Sequence, residues 1–100
     1  MYFVYVLYSQ KIGHFYTGQT ANLSERLKQH NLGMSKATMH GVPWQLVHSE
    51  TFVTRAAAMQ RERYLKTGRG RDERQQLLHD AAAATIRDES RFQTARPSRV

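Results

Sequence analysis

The sequence predicts a single small α+β domain whose elements run strand, strand, helix, strand, helix, helix. Three observations carry this expectation. The chain has 100 residues, and one hydrophobic core commonly occupies roughly 100–150 residues, so a second core does not fit. Its opening run, residues 1–8, is β-branched and aromatic without polar alternation, the pattern of a strand covered on both faces and therefore central in a sheet. Further along, Asn22 and Thr54 each precede a stretch of good helix formers, as N-cap residues do.

Each element follows from local chemistry. Residues 9–14 read as a turn, and residues 15–19 return as a second strand, making a β-hairpin with a longer loop. Asn22 opens a helix, Glu25 stands three places later as in a capping box, and Asn31-Leu32-Gly33 stops it. Residues 33–43 hold two Gly and one Pro and are expected to form a surface loop. Residues 44–52 alternate as a third strand, with Trp44, Leu46, His48, Glu50 and Phe52 on one side. Thr54 caps a second helix over residues 55–66. Thr67-Gly68-Arg69-Gly70-Arg71 is expected to break it, and Asp72 to cap a third helix reaching about residue 86. The folded domain accordingly spans residues 1–86. Residues 87–100, with four Arg, one Pro and little to bury, are expected to form a basic flexible tail.

Composition narrows the chemistry. Without cysteine the chain has no disulfide, thiolate zinc site, iron–sulfur cluster or thiol nucleophile. No apolar run approaches the roughly 18–20 residues of a membrane span, and the opening run lacks the basic start and small-residue cleavage site of a signal peptide. A cytoplasmic protein with no membrane partner is expected. Fifteen Lys and Arg against eight Asp and Glu give a net charge of +7, and eleven of the fifteen are Arg, whose planar fork matches phosphate oxygens. A polyanion partner explains this better than plain solubility does.

The informative residues are polar ones on apolar stripes. On the first helix Leu23 and Leu27 face the core, with His30 beside them and Arg26 at the edge, one turn apart. On the second, Glu62 falls between the directions of Ala58 and Leu65. A buried carboxylate must be paired or bind metal; an exposed pair with Lys66 is the competing explanation. Tyr2, Tyr5, Tyr8 and Tyr16 cluster in or beside the hairpin, where hydroxyls need partners. The five histidines show no metal-ligand spacing, no Gly-x-Ser-x-Gly elbow is present, and Gly68-Arg69-Gly70-Arg71 lacks the spacing and the preceding strand of a nucleotide loop. One carboxylate, phenols, an Arg, a His and a basic surface suit metal-assisted attack on phosphate.

Phe3-Val4-Tyr5, Phe15-Tyr16-Thr17-Gly18, residues 22–31 with Arg26 and His30, Trp44-Gln45-Leu46-Val47 and residues 61–66 with Glu62 stand in the order of the GIY-YIG nuclease family, which the chain resembles over residues 2–78. It looks most like the small stand-alone UPF0213 group. Phe3-Val4 replaces Gly-Ile, Thr17 replaces an isoleucine, and no lysine follows Gly18.

The resemblance implies a three-stranded antiparallel sheet flanked by helices and a metal-dependent endonuclease that hydrolyses phosphodiester bonds in DNA. It implies Glu62 as ligand of a single Mg²⁺ or Mn²⁺, Arg26 against the developing phosphorane charge, Tyr16 or Tyr5 as proton acceptor, and His30 as hydrogen-bond partner of the tyrosine or of the phosphate. Arg61, Arg63, Lys66, Arg69 and Arg71 belong to a run of seven cations in residues 55–74 and are the expected nucleic-acid contacts, mainly to phosphate. Gln19, Thr20 and Asn31 are further candidates for supporting or phosphate contacts. No residue reads the sugar, so DNA is favoured by resemblance alone and RNA stays open. Structure-selective cutting in repair or recombination is the expectation by analogy. The alternatives are a nucleic-acid-binding module that has lost turnover and a subunit that needs a protein partner for DNA specificity. Oligomeric state has no signature in the sequence.

Overall fold

The computed structural model describes the backbone of residues 1–95 and the side chains of residues 1–83. Strand β1 (Tyr2–Ser9) lies in the middle of a three-stranded sheet, with β2 (His14–Thr20) on one side and β3 (Gln45–Phe52) on the other. Both pairings are antiparallel. Helix α1 (Leu23–Asn31) joins β2 to β3, and α2 (Arg55–Leu65) and α3 (Gly68–Ala95) follow β3. The expected α+β class, element order and central first strand are all present.

Strand β1 is apolar or aromatic up to Tyr8 because both its faces are covered. Val4 and Val6 pack with Ala58 and Leu65 of α2, and with Phe15, Val47, Phe52 and Leu77 around them. Tyr5 and Leu7 point the other way, to Trp44, Leu23, Leu27 and Tyr16. Fully buried Leu65 and Leu7 each contribute on the order of 1.5–3 kcal/mol by leaving water. Gly13, with φ of 67°, supplies the left-handed residue of the β1–β2 turn.

Three expectations need correction. First, Trp44, Leu46, His48, Glu50 and Phe52 do not share one face. The register shifts between Val6 and Leu7, so that Val6 faces His48 and Leu7 faces Leu46; Val47 is the extra residue of a bulge, and a one-residue offset reverses the side of everything beyond it. Phe52 therefore packs with Val4 and Val6, whereas Trp44 joins Tyr5 and Leu7.

Second, the loop over residues 33–43 is not wholly on the surface. Thr38 and Gly41 are buried around a short 3₁₀ turn, Met39–Gly41. The Trp44 indole Nε1 donates to the Thr38 carbonyl at 2.7 Å, and the Ser9 hydroxyl donates to the Gly41 carbonyl at 2.7 Å. A folded-back loop satisfies its backbone polar groups in this way.

Third, Asp72 does not cap α3. The helix begins at Gly68, and the Thr67 hydroxyl accepts from the Gly70 N–H at 3.2 Å while donating to the Tyr64 carbonyl at 2.6 Å. A Cβ on Gly70 would lie 2.4 Å from the Leu65 Cα, so this glycine permits the close approach of α3 to the end of α2 and does not break the helix. Helix α3 also runs past residue 86, through the backbone of residues 87–95. The remainder of the expected tail, residues 96–100, lies outside the described residues.

Candidate active site

The site is built on the Tyr5–Leu7 face. Tyr5 stands opposite Gly18 in the β1–β2 ladder, and Tyr16 stands opposite Leu7 on the same face. A Cβ on Gly18 would lie 2.6 Å from the Tyr5 hydroxyl oxygen and 3.1 Å from the Tyr16 Cε2. Only glycine leaves room there for the two phenols to converge. Helix α1 then brings His30 over both rings, 5.7 Å from Tyr5 and 4.9 Å from Tyr16 between centroids, with the two tyrosine rings 6.2 Å apart.

Asn22 fixes where α1 starts, its side chain accepting from the Glu25 N–H at 3.2 Å. Leu23 and Leu27 pack inward, which turns His30 into the protein and leaves Arg26, one turn earlier, at the rim. His30 is fully buried. Its Nε2 lies 2.9 Å from the Tyr5 hydroxyl and its Nδ1 2.8 Å from the Thr38 hydroxyl. Burial, then the charge of Arg26, hold the His30 pKa below its ordinary value, so the ring is neutral at pH 7 and offers one donor and one acceptor, which the flanking hydroxyls match.

Tyr5 is 1% exposed, and its pKa is pushed up to about 12, chiefly by burial; Arg26 opposes that rise, while the charges of Tyr16 and Glu62 add to it. Tyr5 is thus a protonated phenol at neutral pH. Tyr16 is half-buried. The Arg26 Nη1 donates to the Gln29 side chain at 2.9 Å. Its pKa is raised, first by the Tyr5 hydroxyl and also by Tyr16, which places its charge beside both phenols.

Glu62 comes from α2. Its side chain is 21% exposed, and its Oε2 accepts from the Lys66 Nζ at 2.7 Å. It makes the i, i+4 pair with Lys66 that the sequence offered as the competing explanation, and its charge adds to the upward push on the Tyr5 pKa. No cluster of three or more His, Asp or Glu that could hold a metal exists among the described residues. That donor set does not fit a protein cage for Zn²⁺ or Ca²⁺. It does fit Mg²⁺ or Mn²⁺ held through one carboxylate, with water and a substrate phosphate completing the shell.

The expected phosphate contacts divide. Arg63, Lys66, Arg69 and Arg71 are exposed. Arg61 is not available: its Nε and Nη2 donate to both Glu50 oxygens at 2.9 Å, and its Nη1 and Nη2 donate to Glu73. It is a structural hub, charged in sequence yet neutralised in place. Asn31 also proves structural, since it accepts from the Trp44 N–H at 2.6 Å and donates to the Trp44 carbonyl at 3.2 Å, tying α1 to the start of β3. Gln19 accepts from Arg55, and Thr20 bonds the backbone of Asn22.

Thr38 is the site residue that sequence reasoning missed. A lone Thr in a Gly- and Pro-containing loop gives no periodic signal; only the fold brings it to His30.

Comparison with known proteins identifies the family. The family model for the GIY-YIG catalytic domain matches residues 1–75. A UPF0213 protein of Haloquadratum walsbyi is 42% identical over 66 residues, covering 65% of this chain and 73% of that one. A UPF0213 protein of Clostridium perfringens is 36% identical over 91 residues, covering 90% and 92%. The solution NMR structure of a UPF0213 protein from Bacillus halodurans is 31% identical, covers 73% of this chain and 81% of that one, and superposes with a TM-score of 0.46. The chain belongs to the GIY-YIG family of catalytic domains, and with that membership come nuclease chemistry and a nucleic-acid substrate.

Proposed function

We propose that the protein is a divalent-metal-dependent endonuclease that hydrolyses phosphodiester bonds in DNA, selecting DNA structure over sequence and serving cytoplasmic DNA repair or recombination. The observation that carries this reading is the convergence of two phenols and a neutral imidazole, with ring centroids within 6.2 Å of one another, beside the Arg26 guanidinium and within electrostatic reach of Glu62. Hydrolysis at phosphorus needs a deprotonated water in line and relief of charge on the phosphoryl oxygens.

Tyr16, the more accessible phenol, takes the water's proton, with the Arg26 guanidinium beside it. Tyr5, buried and protonated, holds a fixed hydrogen bond with His30 and so keeps the imidazole facing the site. Arg26 lies where negative charge grows on the phosphate; its side-chain partner Gln29 is neutral, so its charge stays available. Glu62 would hold the metal, which when bound supplies Lewis-acid stabilisation of the phosphate. The exposed cations Arg63, Lys66, Arg69 and Arg71 favour contacts mainly to phosphate.

The test is incubation of the pure protein with nicked, branched, single-stranded and intact duplex DNA in Mg²⁺ or Mn²⁺. Cleavage of the nicked or branched forms should exceed that of intact duplex. Glu62→Gln should reduce it by on the order of a thousandfold while leaving thermal unfolding unchanged. Equal cleavage by the variant overturns the role of Glu62. Tight binding with no cleavage of any form replaces the nuclease by a binding module.

A further inference from the structure

Away from the phenols, the turn of the β1–β2 hairpin and the start of α3 border an open cavity of about 390 Å³, lined by His14, Phe15, Lys66, Thr67, Arg71 and Arg74 among others, with no carboxylate in its wall. The cations there are arranged by the helix. Arg71 and Arg74 are three residues apart on α3 and so lie on one face, and Lys66 precedes the Thr67 cap. The N-terminus of α3 adds partial positive charge at the same end.

Arg74 is the telling residue. Its Nε is completely buried and has no hydrogen-bond partner among the described residues, and its guanidinium carbon sits 5.5 Å from the centre of the Phe15 ring. A buried guanidinium N–H without an acceptor is costly. The contrast with Arg61, saturated by Glu50 and Glu73, shows what this chain does with an arginine that serves only the fold. Burial and the charge of Arg71 both weigh against the charged form of Arg74, which is the electrostatic condition an anion would relieve.

We propose that this cavity is a phosphate-binding subsite that holds a phosphate group of the nucleic-acid strand, with Arg71 and Arg74 as its ligands and Lys66 at its rim. The proposal rests on the nuclease reading for the identity of the strand. Lys66 joins the two places physically: it lines the cavity, and its Nζ pairs with Glu62. A strand anchored here is thereby positioned relative to the residue proposed to hold metal. The seat suits either a backbone phosphate or a terminal one, since both present the same oxygens to paired guanidinium groups.

Binding of a 3′-labelled 12-nucleotide single strand, followed by fluorescence anisotropy in EDTA between 50 and 200 mM salt, tests it. Arg71→Ala should weaken binding about fivefold or more and reduce the slope of log affinity against log salt by about one. Arg74→Gln should do the same, and Arg71, being exposed, keeps the test readable if the Arg74 variant loses its fold. Lys36→Ala, the same charge change outside the cavity, is the control. If Arg71→Ala and Arg74→Gln bind as Lys36→Ala does, the subsite does not exist. A 5′-phosphate that tightens binding of the wild type but not of Arg71→Ala identifies a terminal phosphate as occupant; equal binding with and without it, at the expected Arg71 loss, identifies a backbone phosphate. Because metal is absent, a cavity that fails here leaves the cleavage assay untouched, and a failed cleavage assay leaves this one interpretable.

Discussion

The two faces of β1 use polar residues in opposite ways. On the Val4–Val6 side, the charges around Arg61 cancel: Arg61 is held by Glu50 and Glu73, and Glu50 also pairs with His48 at 2.8 Å. On the Tyr5–Leu7 side, the polar groups form a chain from Tyr5 through His30 to Thr38 with no carboxylate in it, and Arg26 has a neutral hydrogen-bond partner. Around Arg61, neutralised charge serves stability, because its guanidinium donors are met by the Glu50 and Glu73 oxygens and no free charge is left there to attract a ligand. Uncompensated positive charge beside pre-positioned hydroxyls serves binding of an anion whose charge grows during reaction.

The sharpest way to break this comparison is to exchange the two arginines for Met. Arg26→Met is expected to lower cleavage by roughly a hundredfold or more while urea unfolding moves by less than about 0.5 kcal/mol. Arg61→Met should do the reverse, costing about 1–3 kcal/mol of stability by stranding two partly buried carboxylates with cleavage at 25 °C near wild type. If Arg61→Met abolishes cleavage in a folded protein, the division between the faces is wrong.

A smaller effect sharpens it. Thr17 is 2% exposed on the Val4–Val6 side, opposite Val6, and its hydroxyl has no partner among the described residues. Thr17→Val should stabilise by about 1 kcal/mol, raising Tm by about 4–8 °C, because an unmet buried hydroxyl is removed at nearly constant shape. A lower Tm would mean that the hydroxyl has a role on a face assigned here to packing.

The smallest effect is pH-dependent. His30 has a folded pKa below 6.5, so the unfolded chain binds its proton first as pH falls. The stability His30 contributes is complete above about pH 6.5, declines as pH drops below it, and levels off beneath the folded pKa. Urea midpoints of wild type and His30→Gln, compared between pH 7.5 and 5, should show that decline in the wild type and a shallower one in the variant. Parallel curves would place His30 in water in the native state.

Much of this was legible along the chain. The two-sided apolarity of β1, the Asn22 and Thr54 caps and the Arg26–His30 spacing each follow from local rules, since a strand period of two and a helical turn of 3.6 residues act on near neighbours. The α2–α3 boundary was misread because glycine ends helices in one setting and permits close helix contact in another, and only Leu65 at the Gly70 position distinguishes them. The bulge at Val47 was invisible for a similar reason, being a property of the β1–β3 pairing and not of β3.

By itself, then, the sequence determined the element order, the central strand, the helix starts and which residue types the site contains, because these depend on contacts within a turn or two. Tertiary structure decided which charge is free. Arg26, Arg61, Arg71 and Arg74 are the same residue in the sequence; whether each one meets a carboxylate, a neutral amide or no acceptor among the described residues depends on segments far away in the chain, and electrostatic energy is set by distance and burial in space.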